Sequence, residues 1–379
     1  MSAEREDRSS PREPVLVTRS FLPPEEEYLF WLRKAFASRI LTNNGPIHRE
    51  LESTLQARFK VPFLRLMSNG TLAIQLALRA LGVKGKVITT PFSYVATTSA
   101  ILWEGCEPVF VDVRPDTLCI DPALIEAAIT PDTTAILATH VYGIPCDVHA
   151  IDRIARKHGL KVIYDGAHAF DVDLDGRSVL AYGDACTLSF HATKLFHTVE
   201  GGATILHDEE NDKQLRFLRS FGHIGDDHFT LGMNAKMSEV HAAMGMAVMP
   251  HMDGIIAGRR TICERYDSGL ADLPLQRPTI PVGTRYNHSY YPVLFADAII
   301  RERVMSALAE VGIMTRRYFY PSLDTLPYVK GAACPVSRDA ADRVICLPLY
   351  PDLDPRDVDR AVACITAVLA DAQVGVPGS

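Results

Sequence analysis

The chain has 379 residues, of which 47 % are hydrophobic and 22 % charged; that is enough apolar material for one large domain or two and too little charge for a disordered chain. A net charge of −7 excludes the basic face of a general nucleic-acid binder. The eight cysteines are scattered, with no CxxC pair and no metal-type spacing, so no metal site and no disulfide scaffold is expected; they read as buried free thiols of a reducing compartment.

In chain order, residues 1–15 are polar and proline-bearing and read as a flexible N-terminal arm. They lack the apolar core of a secretory signal, and no apolar run is long enough to span a bilayer, so a cytoplasmic protein without a membrane partner is expected. From about Val61 to Leu206, short apolar runs alternate with helical patterns. KVITTP, EPVFVDV, TAILATH, KVIYDGA, ACTLSF and GGATILHD read as strands; TLAIQLALRALG, YVATTSAILWEG, PALIEAAI and DVHAIDRIARKHG carry helical periodicity. That alternation predicts an α/β fold with a mostly parallel sheet covered on both faces, in a large domain over 16–250. Met237 to about Leu273 reads as a long helical stretch interrupted by Pro250. RYNHSYYPVLFA, a helix over Arg301 to Val311 and VICLPLYPDL then predict a smaller C-terminal α+β domain, 251–379.

Ligands of an open α/β sheet sit at the carboxyl ends of the strands, and the candidate residues fall there. SNGT, Ser68 to Thr71, starts a helix and would turn the Gly70 and Thr71 amides and the Thr71 hydroxyl toward a phosphate; read alone it is equally an ordinary N-cap. KVIYDGAHA ends a strand on Asp165, with His168 three residues on. A carboxylate there can pair with a pyridinium nitrogen, although an aspartate opening a turn looks the same. Ser189 ends ACTLSF, and five residues later Lys194 stands among small and polar residues before a Gly-Gly turn. A lysine so placed is a candidate for an amine held as an imine by pyridoxal 5′-phosphate (PLP). No GxxxxGK[ST] or GxGxxG accompanies these residues, so nucleotide-binding folds of those types are unsupported.

LTNNGPIHRELE, SNGTLAIQLAL, ITTPFSYVATTSAI, DGAHAF, SFHATKLFHTVEGGA and LGMNAKMSEVHAAMG together resemble the DegT/DnrJ/EryC1/StrS family of PLP-dependent sugar aminotransferases, from about Val15 to the C-terminus. The resemblance implies the aspartate aminotransferase (PLP fold type I) architecture, Lys194 as the imine lysine and Asp165 as partner of the pyridine nitrogen. It implies that His168 contacts the ring hydroxyl, that Gly70, Thr71 and Ser189 hold the phosphate, and that Tyr94 stacks on the ring. Asn234 corresponds to an asparagine that reaches the phosphate of the neighbouring subunit's cofactor, which implies a homodimer with shared active sites. His191, Tyr318 and Tyr320 lie where relatives line the sugar pocket. Lys236 replaces the family's usual arginine, whose fork a lysine cannot reproduce, and Gly166 and Asp171 stand where alanine and glycine are commoner.

A branch of the family that removes a sugar hydroxyl has histidine at the lysine position; retention of Lys194 implies transamination, with L-glutamate as donor and a nucleotide-linked keto-sugar as acceptor. The runs around Lys194 are most similar to members acting on dTDP-4-keto-6-deoxy-D-glucose to give dTDP-4-amino-4,6-dideoxy-D-glucose. UDP- or GDP-linked sugars, C3-keto sugars and cyclitols are the alternatives, and a non-catalytic PLP- or nucleotide-sugar-binding regulator is the outer one.

Overall fold

A computed structural model describes residues 13–374. Its main sheet takes β1 (Phe63–Met67), β2 (Lys86–Thr89), β3 (Glu107–Phe110), β4 (Thr133–Thr139) and β5 (Lys161–Asp165). A small hairpin, β6 (Asp173–Leu174) and β7 (Arg177–Ser178), lies outside it, and β8 (Ala185–Ser189) and β9 (Gly202–Leu206) complete it. The order across the sheet is β1-β9-β8-β5-β4-β2-β3. β3, β2, β4, β5 and β8 pair in parallel. β9 runs antiparallel to both β8 and β1, so β1 points the same way as the other five.

Parallel neighbours cannot be joined by a hairpin and need a crossover. The helices Gly70–Ala80, Val95–Trp103, Pro122–Ala128 and Val148–His158, which follow β1 to β4, supply it. Alternate residues then face opposite layers: Ile136 and Ala138 join one apolar cluster, Ala135 and Leu137 the other, as the period of two along a strand requires. With both faces covered, β4, β8 and β9 are buried almost throughout, hence their continuous apolar character. The antiparallel β8–β9 pair needs no crossover helix. Residues 190–201 return at the carboxyl end of β8, and Lys194 rides on that loop.

β1 escapes a reading by apolar runs because Arg65 interrupts FLRLM. Its charge is met by a buried ion cluster. Arg65 donates to Asp212 (Nε to Oδ1, 2.6 Å; Nη2 to Oδ2, 2.7 Å) and to Glu52 (2.7 Å). Glu52 also accepts from the Leu66 amide (3.0 Å) and from Arg219 (3.2 Å).

A hairpin, β10 (His223–Ile224) with β11 (Asp227–His228), projects beyond the sheet. The helical stretch after it breaks at Met249–His251, around Pro250, and resumes as the helix Met252–Leu270. Met252 and Ile255 pack into the large core, whereas Ile262, Cys263, Tyr266 and Leu270 pack into a second one. β12 (Thr284–Arg285) returns to pair with β6. β13 (Tyr291–Leu294) and β14 (Val344–Leu347) form an antiparallel pair that shares the second core with the helices Ala298–Glu310 and Pro355–Val374. Of the arm read over 1–15, residues 1–12 lie outside the described residues, while Val15 is buried and bonded through its backbone to Gly312 and Met314.

Removing one member of a buried ion cluster leaves its partner's charge uncompensated, so Asp212→Ala is expected to lower stability by about 3 kcal/mol; a urea-unfolding midpoint no lower than that of the surface change Glu209→Ala would contradict this. Burial pushes the Glu52 carboxyl up, but the His48 hydrogen bond and the Arg219 and Arg65 charges prevail and hold it at about 2. Its folded-state pKa lies below the unfolded one, so its contribution is present above pH 4.5 and lost as pH falls toward about 2. Glu52→Gln should flatten the acid limb of the stability curve in that window.

Candidate active site

The carboxyl ends of β1, β4, β5 and β8 open into one cavity of about 300 Å³. Gly70, Thr71, Tyr94, Asp165, His168, Ser189, His191, Lys194 and Tyr318 all line it. Asn234 and Tyr320 do not. Asn234 is exposed beyond the β10–β11 hairpin and accepts from Lys236 Nζ (2.9 Å). Tyr320 is exposed under the Arg317 guanidinium, 3.3 Å from its ring centre.

The turn from β1 into the helix Gly70–Ala80 is an N-cap: Asn69 Oδ1 accepts from the Leu72 amide at 2.9 Å. That cap satisfies one of the orphan amides of the first turn and leaves those of Gly70 and Thr71 at the cavity wall. A Cβ on Gly70 would stand 2.8 Å from Ser189 Cβ, and one on Gly202 would meet the Asn69 carbonyl and Leu188 O at 2.7 Å. Both glycines are therefore required by close backbone approach, which draws the helix N-terminus and the end of β8 together. Amides, the positive end of the helix dipole and two hydroxyls on one wall suit a phosphate.

Asp165 ends β5 and is 5 % exposed. Its Oδ1 accepts from the Ala167 amide (3.0 Å) and its Oδ2 from Thr97 Oγ1 (2.8 Å). Since the Thr97 proton is spent there, Thr97 accepts from Ser93 (2.8 Å), and Ser93 in turn from Thr139 (3.0 Å). Burial raises the Asp165 pKa; Thr97, the Ala167 amide and the Lys194 charge oppose it. Among the described residues no cation lies within ion-pair distance of it. A carboxylate buried on these terms fits a proton-bearing ring nitrogen, which would complete its set of partners.

His168 is equally buried, and burial together with the Lys194 charge keeps it neutral. Its Nδ1 faces the Tyr142 amide at 3.2 Å, so Nδ1 is the acceptor and Nε2 carries the proton. Phe319 stacks parallel to the ring, centroids 5.5 Å apart. Lys194 stands in the turn after β8, its amide donating to His191 O (2.8 Å), and its Nζ reaches Tyr290 OH at 3.4 Å. Burial in the cavity lowers its pKa to about 8 against the opposing pull of Asp165 and Tyr94. His191 is braced by Thr193 Oγ1 (2.8 Å), with Glu200 3.6 Å away. An amine, a buried acid, a neutral imidazole and a wall of amides and hydroxyls in one cavity fit PLP.

Sequence reasoning did not single out Ser93, Thr97, Thr139, Tyr290 or Phe319. Ser93 and Thr97 lay inside PFSYVAT, flanking Tyr94, where four-residue spacing across a helix start was the available signal. Asp171 adopts φ +57° and accepts both oxygens' worth of hydrogen bonds from Arg58 (Nε, 3.0 and 2.8 Å). A carboxylate at that position ties the turn after His168 to the helix Pro46–Phe59.

An amine with its pKa near 8 is acylated at lower pH than ordinary lysines. In the cofactor-free protein, the acylation rate of Lys194 mapped by peptide mass spectrometry is expected to rise through about pH 8, against 10.5 for an unperturbed lysine; a profile like that of the surface residue Lys213 would contradict the burial argument.

The DegT/DnrJ/EryC1/StrS aminotransferase family model matches residues 25–366. Two curated relatives are described as dTDP-4-amino-4,6-dideoxy-D-glucose transaminase. That of Shigella dysenteriae is 43% identical over 363 residues, covering 94% of this chain and 99% of its own; that of Escherichia coli is 40% identical over 369 residues, covering 94% and 98%. Among solved structures, DesI in the presence of its TDP-sugar product superposes with a TM-score of 0.91 at 33% identity, covering 96% of this chain and 95% of that one. The match spans both cores and every strand of the main sheet, and the chain belongs to the DegT/DnrJ/EryC1/StrS aminotransferase family.

Proposed function

We propose that the protein transfers the amino group of L-glutamate to dTDP-4-keto-6-deoxy-D-glucose, giving dTDP-4-amino-4,6-dideoxy-D-glucose. The observation that carries this reading is the single cavity joining Lys194, Asp165 and the Gly70–Thr71 turn, in a chain 43% identical over almost its full length to a transaminase of that name. The cofactor is PLP. When bound, it supplies an electron sink that allows an amino group and a keto oxygen to be exchanged.

The chain's own residues do the rest. The Gly70 and Thr71 amides and the Thr71 and Ser189 hydroxyls bind the phosphate. Asp165, held in place by the Thr139–Ser93–Thr97 hydroxyl relay, would accept the pyridine N–H. His168 would donate Nε2–H to the ring hydroxyl oxygen, and Tyr94, at the open side of the cavity, would stack on the ring. Lys194 Nζ, whose lowered pKa keeps a share of it neutral near pH 8, takes the proton from the donor's α-carbon and returns one during transfer to the sugar. His191 and Tyr318 line the cavity on the side left for the sugar, whereas Tyr320 stands exposed outside it.

The active unit in this reading is a homodimer. Asn234 lies outside its own chain's cavity, and the nearby Phe229 and Leu231 are 66% and 75% exposed, an apolar surface that a second copy would cover. Asn234 then serves the partner's cofactor phosphate, with Lys236 holding its amide oxygen and leaving Nδ2 to donate. The eight unpaired cysteines support a cytoplasmic setting.

Lys194→Ala should fold, by circular dichroism, and form no amino sugar by mass spectrometry; appreciable turnover would remove Lys194 from this role. Wild-type protein given glutamate and dTDP-4-keto-6-deoxy-D-glucose should yield a 4-amino sugar, and a better yield from a 3-keto or UDP-linked acceptor would reassign the substrate. Mixing Lys194→Ala subunits with Asn234→Ala subunits at limiting PLP should restore activity, because one site of each mixed dimer is intact. Activity equal to the sum of the separate variants would mean that each site is self-contained.

A further inference from the structure

The segment Tyr286–Tyr290 leads into β13, yet it is stitched to the cofactor cavity rather than to its own core. Asn287 Nδ2 donates to the carbonyls of His168 and Phe170 (both 2.8 Å), and Ser289 Oγ donates to His168 O (2.7 Å). Tyr286 OH donates to Tyr142 O at 2.8 Å. From behind, Arg259 Nη1 donates to the carbonyls of Ser289 (3.0 Å) and His288 (3.4 Å). Arg259 is 4 % exposed and has no acidic partner among the described residues. A buried guanidinium without a carboxylate is costly, and here it is spent on fixing two carbonyls next to one side chain, Tyr290.

That side chain lines the cavity. Its ring lies 4.7 Å from His168 and 5.5 Å from Tyr318, centroid to centroid, and its hydroxyl is the hydrogen-bond partner of Lys194 Nζ. A lysine that alternates between holding a cofactor and moving a proton spends part of each cycle as a free amine buried in the cavity, where an unpartnered ammonium is unfavourable. A phenol suits both of its states, since the oxygen accepts from the ammonium and the O–H donates to the neutral amine. Burial keeps that phenol protonated against the pull of Arg259.

We propose that Tyr290, presented by the segment Tyr286–Tyr290, is a positioning residue that receives the Lys194 amine whenever it is released from the cofactor. The inference rests on the reading of Lys194 as the reacting amine. The other groups facing Lys194 are Asp165, Tyr94 and His168; those facing Tyr290 are His168, Tyr142, Tyr318, Cys346 and Arg259. All are unchanged by substitution at 290.

The test uses full-length protein loaded with pyridoxamine phosphate, in which Lys194 is a free amine, and reads its acylation against pH by peptide mass spectrometry. Losing a charge-assisted acceptor, Tyr290→Phe should move the Lys194 midpoint down by about one pH unit and kcat down about tenfold. KM for L-glutamate should stay within about twofold, because ground-state binding of the donor is untouched. Tyr290→His, whose ring can both donate and accept, should recover most of both losses. An unchanged Lys194 midpoint in Tyr290→Phe, or a Tyr290→His no better than Tyr290→Phe, would reduce Tyr290 to packing. If Tyr290→Phe does not fold, 3-fluorotyrosine at 290, a weaker acceptor of the same shape, replaces it: a lowered midpoint supports the proposal and an unchanged one overturns it. Turnover by Lys194→Ala would instead sink the functional reading on which the inference rests, and that result does not depend on residue 290.

Discussion

A carboxylate buried at the end of a central strand, with two hydrogen bonds and, among the described residues, no cation within ion-pair distance, is the constraint on which the rest of the site depends. Asp165 keeps its charge only as far as the Ala167 amide and the Thr97 hydroxyl offset the loss of water. Thr97 can do so only because Ser93 and Thr139 behind it fix which way its proton points. Such a network is worth most when complete. In the proposed function the remaining partner is the proton of a pyridine nitrogen, so the acid that would tune the cofactor also needs it.

The topology explains why the other groups arrive at the same place. Six strands share one direction, so their carboxyl ends share one edge; β4, β5 and β8 each end on a cavity residue, and β1 ends two residues before one. The reversed strand β9 puts the loop carrying Lys194 at that edge, where a crossover helix would have carried the chain away. Gly70 and Gly202 then let three backbones meet without side chains between them. A side chain at either would part the helix N-terminus from the end of β8.

The second core takes part at a distance. Tyr318 and Phe319 reach the cavity between the helix Ala298–Glu310 and β14, and Tyr286–Tyr290 reaches it just before β13. One helix, Met252–Leu270, packs into both cores and supplies Arg259, so it ties the second core to the wall of the site.

Much of this was legible in the amino-acid order. Alternating apolar runs and helical periods determined the parallel α/β sheet, because strands covered on both faces must be apolar throughout. Asp165, Ser189 and Lys194 could be read from their places at strand ends, since a strand's end is local information. Other features were not local. β1 was hidden because Arg65 breaks its apolar run, and only the buried Glu52 and Asp212, distant in sequence, make that arginine tolerable. Tyr320 falls outside the cavity, which no spacing along the chain could reveal. Ser93, Thr97 and Thr139 are ordinary hydroxyl residues until folding aligns them behind Asp165. Tyr290 is one tyrosine in an aromatic run, 96 positions from Lys194. The sequence by itself determined the layers and the residues that end the strands, because periodicity and end position are short-range properties. Which hydroxyls stand behind Asp165, which tyrosine meets Lys194 and which buried arginine braces that tyrosine's segment was decided only by tertiary structure, because those pairings depend on distances between segments that the chain order does not encode.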